Sequence, residues 1–327
     1  MDTLPAFRHE PCDNTLGIVH AHSRGGMPTT PDTLADARDR IAAGIPLTRP
    51  QARAAVDGVL LGTFPVDDFR PWLEATADRP PTADEIAGVA DALRERMHRI
   101  RATQSVVGDT CGTGGDGSGT FNISTAAALV AAAAGLPIAK HGNRAVSSRT
   151  GSADVLEALG VAADATPEVA AACLASIGLA FCFAPAHHPA LAAVRDLRRS
   201  IGRPTVFNLV GPLCNPAGAT VQVIGVGRDD ARRPLAEAAA LIGLSRAVVV
   251  RSTDGVDEIS LFAPTQVLDL SRAGIREVTW SPEDFGMVTH PAANRSALAA
   301  ADAAASADCI RAVLAGEPGP RQIGRAH

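Results

Sequence analysis

The sequence predicts an α/β protein, with a small N-terminal all-helical domain and a larger domain whose mostly parallel central sheet is flanked by helices. Three observations lead to this prediction. Residues 33–101 show helical patterns with capping signals and no strand between them. From residue 105 onwards, short apolar runs alternate with helical segments, which is the order that a parallel sheet requires. With 46% apolar and 20% charged residues, the 327-residue chain can bury a large core.

The helical domain is predicted from its capping signals. One helix begins at the Thr33 cap, a second at Thr48 before a Pro and Gln51, and a third at Thr82. We expect three or four short helices and place this domain at residues 32–103, completed by about residues 189–202. Residues 1–31 are polar and aperiodic and are expected to form a disordered extension.

The α/β domain is expected at residues 104–188 and 203–327. Its strands are predicted at residues 105–107, 136–139, 179–183, 221–226, 247–250 and 267–270. Its helices are predicted near residues 124–134, 152–159, 167–177, 191–201 and 231–242. Ligands of parallel sheets bind beyond the carboxyl ends of the strands, so the loops that follow the strands are the place to look for chemistry.

Composition excludes several classes of protein. The net charge is −5, no Lys/Arg-rich block is present, and aromatic residues are 3% with no Tyr, so we expect no nucleic-acid partner. The six cysteines are scattered, with no C-x-x-C pair, and predict neither a zinc site nor a disulfide framework. Neither a signal peptide nor a membrane span is recognisable, and we expect a reducing, cytoplasmic setting.

The first site signal is a glycine-rich loop, residues 112–120 (GTGGDGSGT), followed by a predicted helix. Glycines let backbone N–H groups approach an anion closely, and the N-terminus of a helix adds positive dipole. Asn122, Ser124 and Thr125 add side-chain donors at the same place. The spacing fits neither a dinucleotide fingerprint nor a Walker loop. A flexible turn is the alternative, but the order of strand, loop and capped helix favours phosphate binding.

Two further loops extend this site. Residues 140–152 (KHGNRAVSSRTGS) follow the next strand, and Lys140, Ser147, Ser148 and Ser152 can donate to phosphate. Residues 253–260 carry the adjacent carboxylates Asp257 and Glu258, and hard oxygen ligands beside phosphates suit Mg²⁺. A solvated loop and an acidic turn are the alternatives, but the three loops together favour a polyanion site with a bridging cation.

The remaining signals lie around residues 187–199. Arg195, Arg198 and Arg199 are spaced i, i+3 and i+4, so they line one stripe of a helix. An exposed basic stripe is the alternative to a guanidinium that grips a substrate carboxylate. His187 and His188 lack a nucleophile motif, so we assign no general acid or base, and His188 is only a weak candidate.

These stretches together resemble the anthranilate phosphoribosyltransferase family, which has the nucleoside phosphorylase class II fold. The motifs are residues 112–125 (GTGGDGSGTFNIST), 140–160 (KHGNRAVSSRTGSADVLEALG), 183–189, 205–216 (TVFNLVGPLCNP) and 254–260 (DGVDEIS). The resemblance implies transfer of the phosphoribosyl group of 5-phosphoribosyl diphosphate to the amine of anthranilate, a step of tryptophan biosynthesis. It also implies Mg²⁺ and a homodimer formed through the helical domain.

Roles of individual residues follow from the resemblance. It implies that Ser124, Asp257 and Glu258 hold Mg²⁺, and that Gly112, Asn143 and Arg198 hold anthranilate. It assigns binding of the phosphoribosyl donor to a larger set: Gly112, Gly115, Asp116, Thr120, Asn122, Ile123, Ser124, Thr125, Lys140, His141, Gly142, Asn143, Arg144, Ala145, Val146, Ser147, Ser148 and Ser152.

The sequence also departs from the family pattern. Its N-terminal extension is long, and the family continues with further helix beyond Pro320, so the resemblance implies a shortened C-terminus. Ala186 and Leu191 leave the expected acceptor channel without aromatic side chains, and a different aromatic amine is conceivable as the acceptor. Two alternatives stay open: a pyrimidine nucleoside phosphorylase of the same fold, and a non-catalytic relative that binds nucleic acid or a protein partner.

Overall fold

A computed structural model describes residues 31–145, 149–287 and 295–318. The N-terminal part is helical, with α1 (Pro31–Ala42), α2 (Arg49–Leu60), α3 (Val66–Asp78) and α4 (Ala83–Arg96). Thr48 and Thr82 precede α2 and α4, where Gln51 and Glu85 close capping boxes. The predicted run of short helices is therefore confirmed.

Strands and helices alternate in the rest of the described chain. The strands are β1 (Gly108–Gly112), β2 (Ile138–Gly142), β3 (Leu179–Phe183), β4 (Val221–Gly225), β5 (Arg246–Ser252), β6 (Thr265–Ser271) and β7 (Gly274–Trp280). The α-helices are α5 (Ile123–Ala133), α6 (Ser152–Ala158), α7 (Pro167–Ile177), α8 (Ala184–His187), α9 (Arg195–Ile201), α10 (Val206–Leu209), α11 (Asp229–Leu241) and α12 (Ala303–Ala315). Short 3₁₀ helices cover Pro189–Val194, Gly211–Cys214, Pro282–Phe285 and Arg295–Leu298.

The seven described strands form one sheet in the order β3-β2-β1-β4-β5-β6-β7. The first five strands in this order run parallel, and β6 and β7 pair antiparallel. Gly112 is in register with Gly225, and Gly142 with Phe183, so the loops after these strands begin at one edge of the sheet. The predicted mostly parallel sheet is confirmed.

Several boundaries predicted from the sequence are wrong. The first strand is Gly108–Gly112 rather than 105–107, because the polar residues of this strand are buried and bonded within the protein. The predicted helix at 191–201 is split into the 3₁₀ helix Pro189–Val194 and α9. β7 was not predicted: it is an edge strand, and its mostly exposed residues lack an apolar alternation. The Ala-rich helix α12 was also not predicted.

Both faces of the sheet are covered. Along β5, Ala247 and Val249 belong to the same apolar cluster as Trp72 of α3. Val250, the next residue along the strand, belongs to a different cluster with Ile259 of the acidic loop, and Phe285 packs against that cluster. Because neighbouring side chains of a strand point to opposite faces, apolar residues pack against both faces of the sheet.

The segment at 189–202 packs against the helical part. The 3₁₀ helix Pro189–Val194 contacts α2, and α9 contacts α3. Arg70 of α3 also donates a hydrogen bond to Ser200 Oγ at 3.1 Å. These contacts favour the predicted domain division, which stays a prediction. The predicted extension at 1–31 lies outside the described residues, apart from its last residue.

Two general features bear on the setting of the protein. Cys111, Cys173, Cys182, Cys214 and Cys309 are free thiols. Within the described ranges, no helix has both the length and the apolar character needed to cross a membrane.

Glu85 is a buried charge that joins the helices of the N-terminal part. Its carboxylate accepts hydrogen bonds from Trp72 Nε1 at 2.8 Å, from Arg79 at 2.6 and 2.7 Å, and from the backbone of Leu47 and Thr82. Burial disfavours the charged carboxylate, but these donors outweigh it and lower the pKa of Glu85. One side chain thus ties α3, the start of α4 and the α1–α2 connection together.

We expect Glu85→Ala to lower the free energy of unfolding by about 3–5 kcal/mol, because it leaves buried donors without their charged partner. Glu74→Ala is the matched control, since Glu74 forms only an exposed ion pair with Arg70 one helical turn away. Its removal should lower the free energy of unfolding by less than about 0.5 kcal/mol. Urea unfolding of the two variants measures both values. Similar losses in the two variants would contradict the role given to Glu85.

Candidate active site

The glycine-rich loop and the acidic loop meet at the end of β4. The backbone N–H of Asp257 faces Asp116 Oδ2 at 3.5 Å. A Cβ on Gly225 would lie 2.0 Å from the carbonyl oxygen of Asp257, and one on Gly227 would lie 2.3 Å from that of Gly114. Only glycine permits such an approach between backbones. The two predicted loops are therefore brought together by glycines of β4 and the residues after it.

The glycine-rich loop itself turns through left-handed conformations. Gly114 and Gly115 have φ of 65° and 87°, values that residues with a side chain rarely adopt. Ser118 donates its backbone N–H to Asp116 Oδ1 at 3.2 Å, and its hydroxyl lies 3.2 Å from that of Thr120. The loop thus stays tight and carries polar groups.

Lys140 connects the second loop to the first. Its side chain is buried, and its ammonium donates to the carbonyl oxygen of Thr110 at 2.5 Å and to Ser124 Oγ at 3.2 Å. Burial lowers the pKa of Lys140, whereas the carboxylates of Asp109 and Glu258 act in the opposite direction. Lys140 therefore lies among the groups predicted to hold the cation.

Asp257 and Glu258 form an acidic pair beside Asp116. Burial, and then Asp116, raises the pKa of Asp257 to about 7. Burial, and then Asp257, raises the pKa of Glu258 well above its usual range, although Glu258 also accepts the backbone N–H of Ser124. Like charges held this close disfavour ionisation of both groups. A nearby cation would remove that penalty.

The donor set fits Mg²⁺. Among the described residues, no group of three or more His, Cys, Asp or Glu side chains is arranged to enclose a metal ion. Mg²⁺ does not need such a cage, because it keeps several waters and binds through one or two carboxylates together with substrate phosphates. A divalent cation beside Asp257 and Glu258 would favour their ionised forms, which repel each other and nearby Asp116 when no cation is present.

The helix that follows the glycine-rich loop contributes partly buried polar groups. Asn122 Oδ1 accepts the Thr150 hydroxyl at 2.7 Å, which joins the first loop to the second. Ser124 is partly exposed, whereas the side chains of Ile123 and Thr125 are buried. The last two can reach a ligand only through their backbone.

In the second loop, several predicted residues are held by acidic partners. Arg144 pairs with Glu157 at 2.6 Å, and the backbone N–H of Ala145 donates to Asp154 at 2.9 Å. A Cβ on Gly142 would lie 2.1 Å from Ser152 Oγ and 2.8 Å from the Phe181 ring, so a side chain there would force both of these side chains to move. Asn143 is exposed, and its carbonyl oxygen accepts the Ser152 hydroxyl at 3.4 Å. The predicted ligands Val146, Ser147 and Ser148 lie outside the described residues.

His141, His187 and His188 are buried, and burial lowers the pKa of each ring. The rings of His141 and His188 lie 5.1 Å apart, and Nδ1 of His141 is 3.0 Å from the carbonyl oxygen of Gly211. Burial lowers the pKa of His141 to about 3 and that of His188 to about 4. With pKa values this low, neither ring is in the imidazolium form near neutral pH, which weighs against acid catalysis by His188. His187 is bonded through Nδ1 to the carbonyl oxygen of His98 at 2.7 Å.

Of the three predicted arginines on α9, only Arg198 is half-buried. Its guanidinium lies 5.3 Å from the centre of the Phe207 ring, and burial lowers its pKa. Arg195 and Arg199 are exposed, and Arg199 pairs with Asp196 at 3.4 Å. Within the described residues, the Arg198 guanidinium has no hydrogen bond or ion pair. A desolvated, unpaired guanidinium suits a ligand carboxylate.

A buried polar group under the loops was missed by the sequence analysis. Asp109 accepts the backbone N–H of His141 at 3.2 Å and the Asn215 side chain at 2.8 Å. Asn215 also donates to the carbonyl oxygen of Ala139 at 2.7 Å. The sequence analysis missed Asp109 because it predicted the first strand at residues 105–107. A charged residue within a buried strand is the sequence signal that could have identified it.

The fold and the loops define a glycosyltransferase domain. Residues 104–324 match the family described as "Glycosyl transferase family, a/b domain". The chain is 46% identical over 284 residues to anthranilate phosphoribosyltransferase of Rubrobacter xylanophilus, a match that covers 87% of this chain and 82% of the relative. The chain belongs to the anthranilate phosphoribosyltransferase family.

Solved structures agree with this assignment. The crystal structure of anthranilate phosphoribosyltransferase from Thermus thermophilus is similar with a TM-score of 0.81 and 39% identity, covering 88% of this chain and 85% of that one. The Saccharomyces cerevisiae enzyme in complex with PRPP (5-phosphoribosyl diphosphate) and Mg has a TM-score of 0.76 and 25% identity, covering 90% and 86%.

The raised pKa of Asp257 predicts that the metal-free protein loses stability as pH rises. An unfolded Asp ionises near about 3.9, whereas Asp257 in the folded protein ionises at about 7. Between these values the folded state binds more protons, so the free energy of unfolding falls as pH increases. We therefore expect metal-free Asp257→Asn to be more stable than the wild type at about pH 8.

Thermal unfolding in EDTA at acidic and alkaline pH measures this effect. Asp164→Asn, which changes an exposed carboxylate, is the matched control and should keep the wild-type pH dependence. If Asp257→Asn is no more stable than the wild type under alkaline conditions, the charge repulsion described above is wrong.

Proposed function

We propose that the protein transfers the phosphoribosyl group of 5-phosphoribosyl diphosphate to the amine of anthranilate. The products are N-(5-phosphoribosyl)anthranilate and diphosphate, as in tryptophan biosynthesis. The observation that carries the proposal is the meeting of the glycine-rich loop, the Lys140 loop and the Asp257–Glu258 pair at one edge of the sheet. The names of the relatives and the PRPP and Mg complex of the yeast enzyme support it.

Ser124, Asp257 and Glu258 are the residues that would hold Mg²⁺. When bound, the cation neutralises negative charge on the departing diphosphate. Lys140 donates to Ser124 Oγ, and the Ser124 N–H donates to Glu258, so the chain itself orients two of the three ligands. Asp116 adds further negative charge beside the pair.

The donor would be bound by the backbone of the glycine-rich loop and by polar side chains around it. Exposed Gly115 and the start of α5 supply backbone N–H groups, while Asn122, Thr120 and Ser152 supply side-chain donors. Phosphate oxygens are matched by these fixed donors rather than by mobile water. Positioning and electrostatics therefore provide most of the rate enhancement.

In the transfer, the bond between the anomeric carbon and the diphosphate oxygen breaks as the amine nitrogen forms its bond to that carbon. The amine nitrogen then releases one proton to solvent water. An aromatic amine needs no strong base to attack a centre with oxocarbenium character. The low pKa values of His141 and His188 agree with an active site that lacks an acid–base pair.

The acceptor anthranilate would be held by Gly112, Asn143 and Arg198, with its carboxylate on the Arg198 guanidinium. The half-buried guanidinium on the Phe207 ring is well suited to a bidentate pair with a carboxylate. A homodimer through the helical domain and a cytoplasmic location belong to the same proposal. The five free thiols of the described residues are consistent with a reducing setting.

Purified protein with Mg²⁺ and anthranilate should lose anthranilate fluorescence when 5-phosphoribosyl diphosphate is added. No turnover by well-folded protein would contradict the proposal. Phosphate-dependent release of a base from thymidine or uridine would instead identify a pyrimidine nucleoside phosphorylase. The names of the relatives favour the transferase over that enzyme and over a non-catalytic nucleic-acid or protein binder.

Arg198→Ala should raise the KM for anthranilate by about 10- to 100-fold, because a desolvated charge-assisted pair is lost. The KM for 5-phosphoribosyl diphosphate should change far less. Arg195→Ala removes an exposed guanidinium from the same helix and is the matched control. Steady-state kinetics with each substrate varied in turn separates the two constants. Equal effects on both substrates would exclude a specific acceptor role for Arg198.

A further inference from the structure

The segment from Leu298 to α12 is hydrogen-bonded to the end of the glycine-rich loop and to the residues that lead into α5. The backbone N–H of Phe121 donates to the carbonyl oxygen of Leu298 at 2.7 Å, and that of Ala300 donates to Gly119 at 3.1 Å. Phe121 also packs in one apolar cluster with Ile310 of α12. A part of the chain about half a sequence away therefore packs against the end of the glycine-rich loop and the start of α5.

Ser306 is the polar centre of this contact. It is fully buried on α12, where its hydroxyl accepts the backbone N–H of Asn122 at 2.9 Å and donates to Asn122 Oδ1 at 3.0 Å. The Thr150 hydroxyl donates to the same Oδ1 at 2.7 Å. Because two hydroxyls donate to Oδ1, the orientation of the Asn122 side-chain amide is fixed. Its Nδ2 is then left to donate to another group. Among the described residues, nothing accepts a hydrogen bond from Nδ2.

We propose that Ser306 is a positioning residue that holds Asn122 so that its Nδ2 donates to the diphosphate of the bound donor. The inference rests on the proposed function. Ser306 does not touch the substrate and acts through Asn122. A buried serine that only satisfied the backbone of α12 would need no partner in the loop, yet both atoms that the Ser306 hydroxyl contacts belong to Asn122.

The test compares Ser306→Ala with Ile310→Val. Ser306→Ala should raise the KM for 5-phosphoribosyl diphosphate about tenfold, the size of one lost hydrogen bond to a charged group, with kcat and the KM for anthranilate changed less than about twofold. Ile310→Val removes one methyl group from the same helix and the same cluster. It should lower stability without changing the KM for the donor.

A double-mutant cycle shows whether the effect passes through Asn122. In an Asn122→Ala background, Ser306→Ala should change the KM for 5-phosphoribosyl diphosphate much less than it does in the wild type, because the Asn122 side chain that Ser306 orients is absent. Full additivity of the two substitutions would overturn the inference. So would a donor KM in Ser306→Ala equal to that of Ile310→Val.

Hydrogen exchange separates this inference from the proposed function. The peptide that contains Asn122 should exchange faster in Ser306→Ala than in Ile310→Val, since the Asn122 N–H has lost its acceptor. If the wild type turns over and neither exchange nor the donor KM responds, the inference alone fails. If the folded wild type shows no turnover and no binding of 5-phosphoribosyl diphosphate, the proposed function fails, and this inference fails with it.

Discussion

The close approach of backbones at Gly225 and Gly227 is the constraint on which the site depends. Both loops come so near to this stretch that a single Cβ would displace them. Asp116 and Asp257 are thereby held together, and Glu258 follows in the same loop. The electrostatics of the site therefore result from the sheet, whose parallel strands end in register and deliver the loops to one edge.

This arrangement is unfavourable for the protein on its own. Carboxylates with restricted access to water repel each other and ionise reluctantly, which raises the pKa values of Asp257 and Glu258. Lys140 compensates in part, but its ammonium is also bonded to Thr110 and Ser124. A cation and a diphosphate would together complete the charge balance, so the features that reduce stability are the ones that favour binding. Well-satisfied groups elsewhere, such as Glu85, offset that loss.

The sequence was sufficient for the fold class and the main loops. Capping residues such as Thr48 and Thr82 act locally, and apolar runs such as 179–183 are recognisable without tertiary information. Glycines and hydrogen-bond donors concentrated after predicted strands indicated a phosphate site, because such a cluster is also recognisable without tertiary information. Ser306 was beyond reach, because its partner Asn122 lies 184 positions away in the sequence. Asp109 was missed because the first strand was predicted too early in the chain. β7 was missed because an exposed edge strand has no apolar period.

Calorimetric titration of 5-phosphoribosyl diphosphate into the protein shows whether the loops and a cation together form one binding site, since it measures binding without turnover. We expect heat of binding when Mg²⁺ is present and a large loss of affinity in EDTA or in Asp257→Asn. Absence of binding heat with Mg²⁺ present, or binding that ignores both the cation and Asp257, would contradict it.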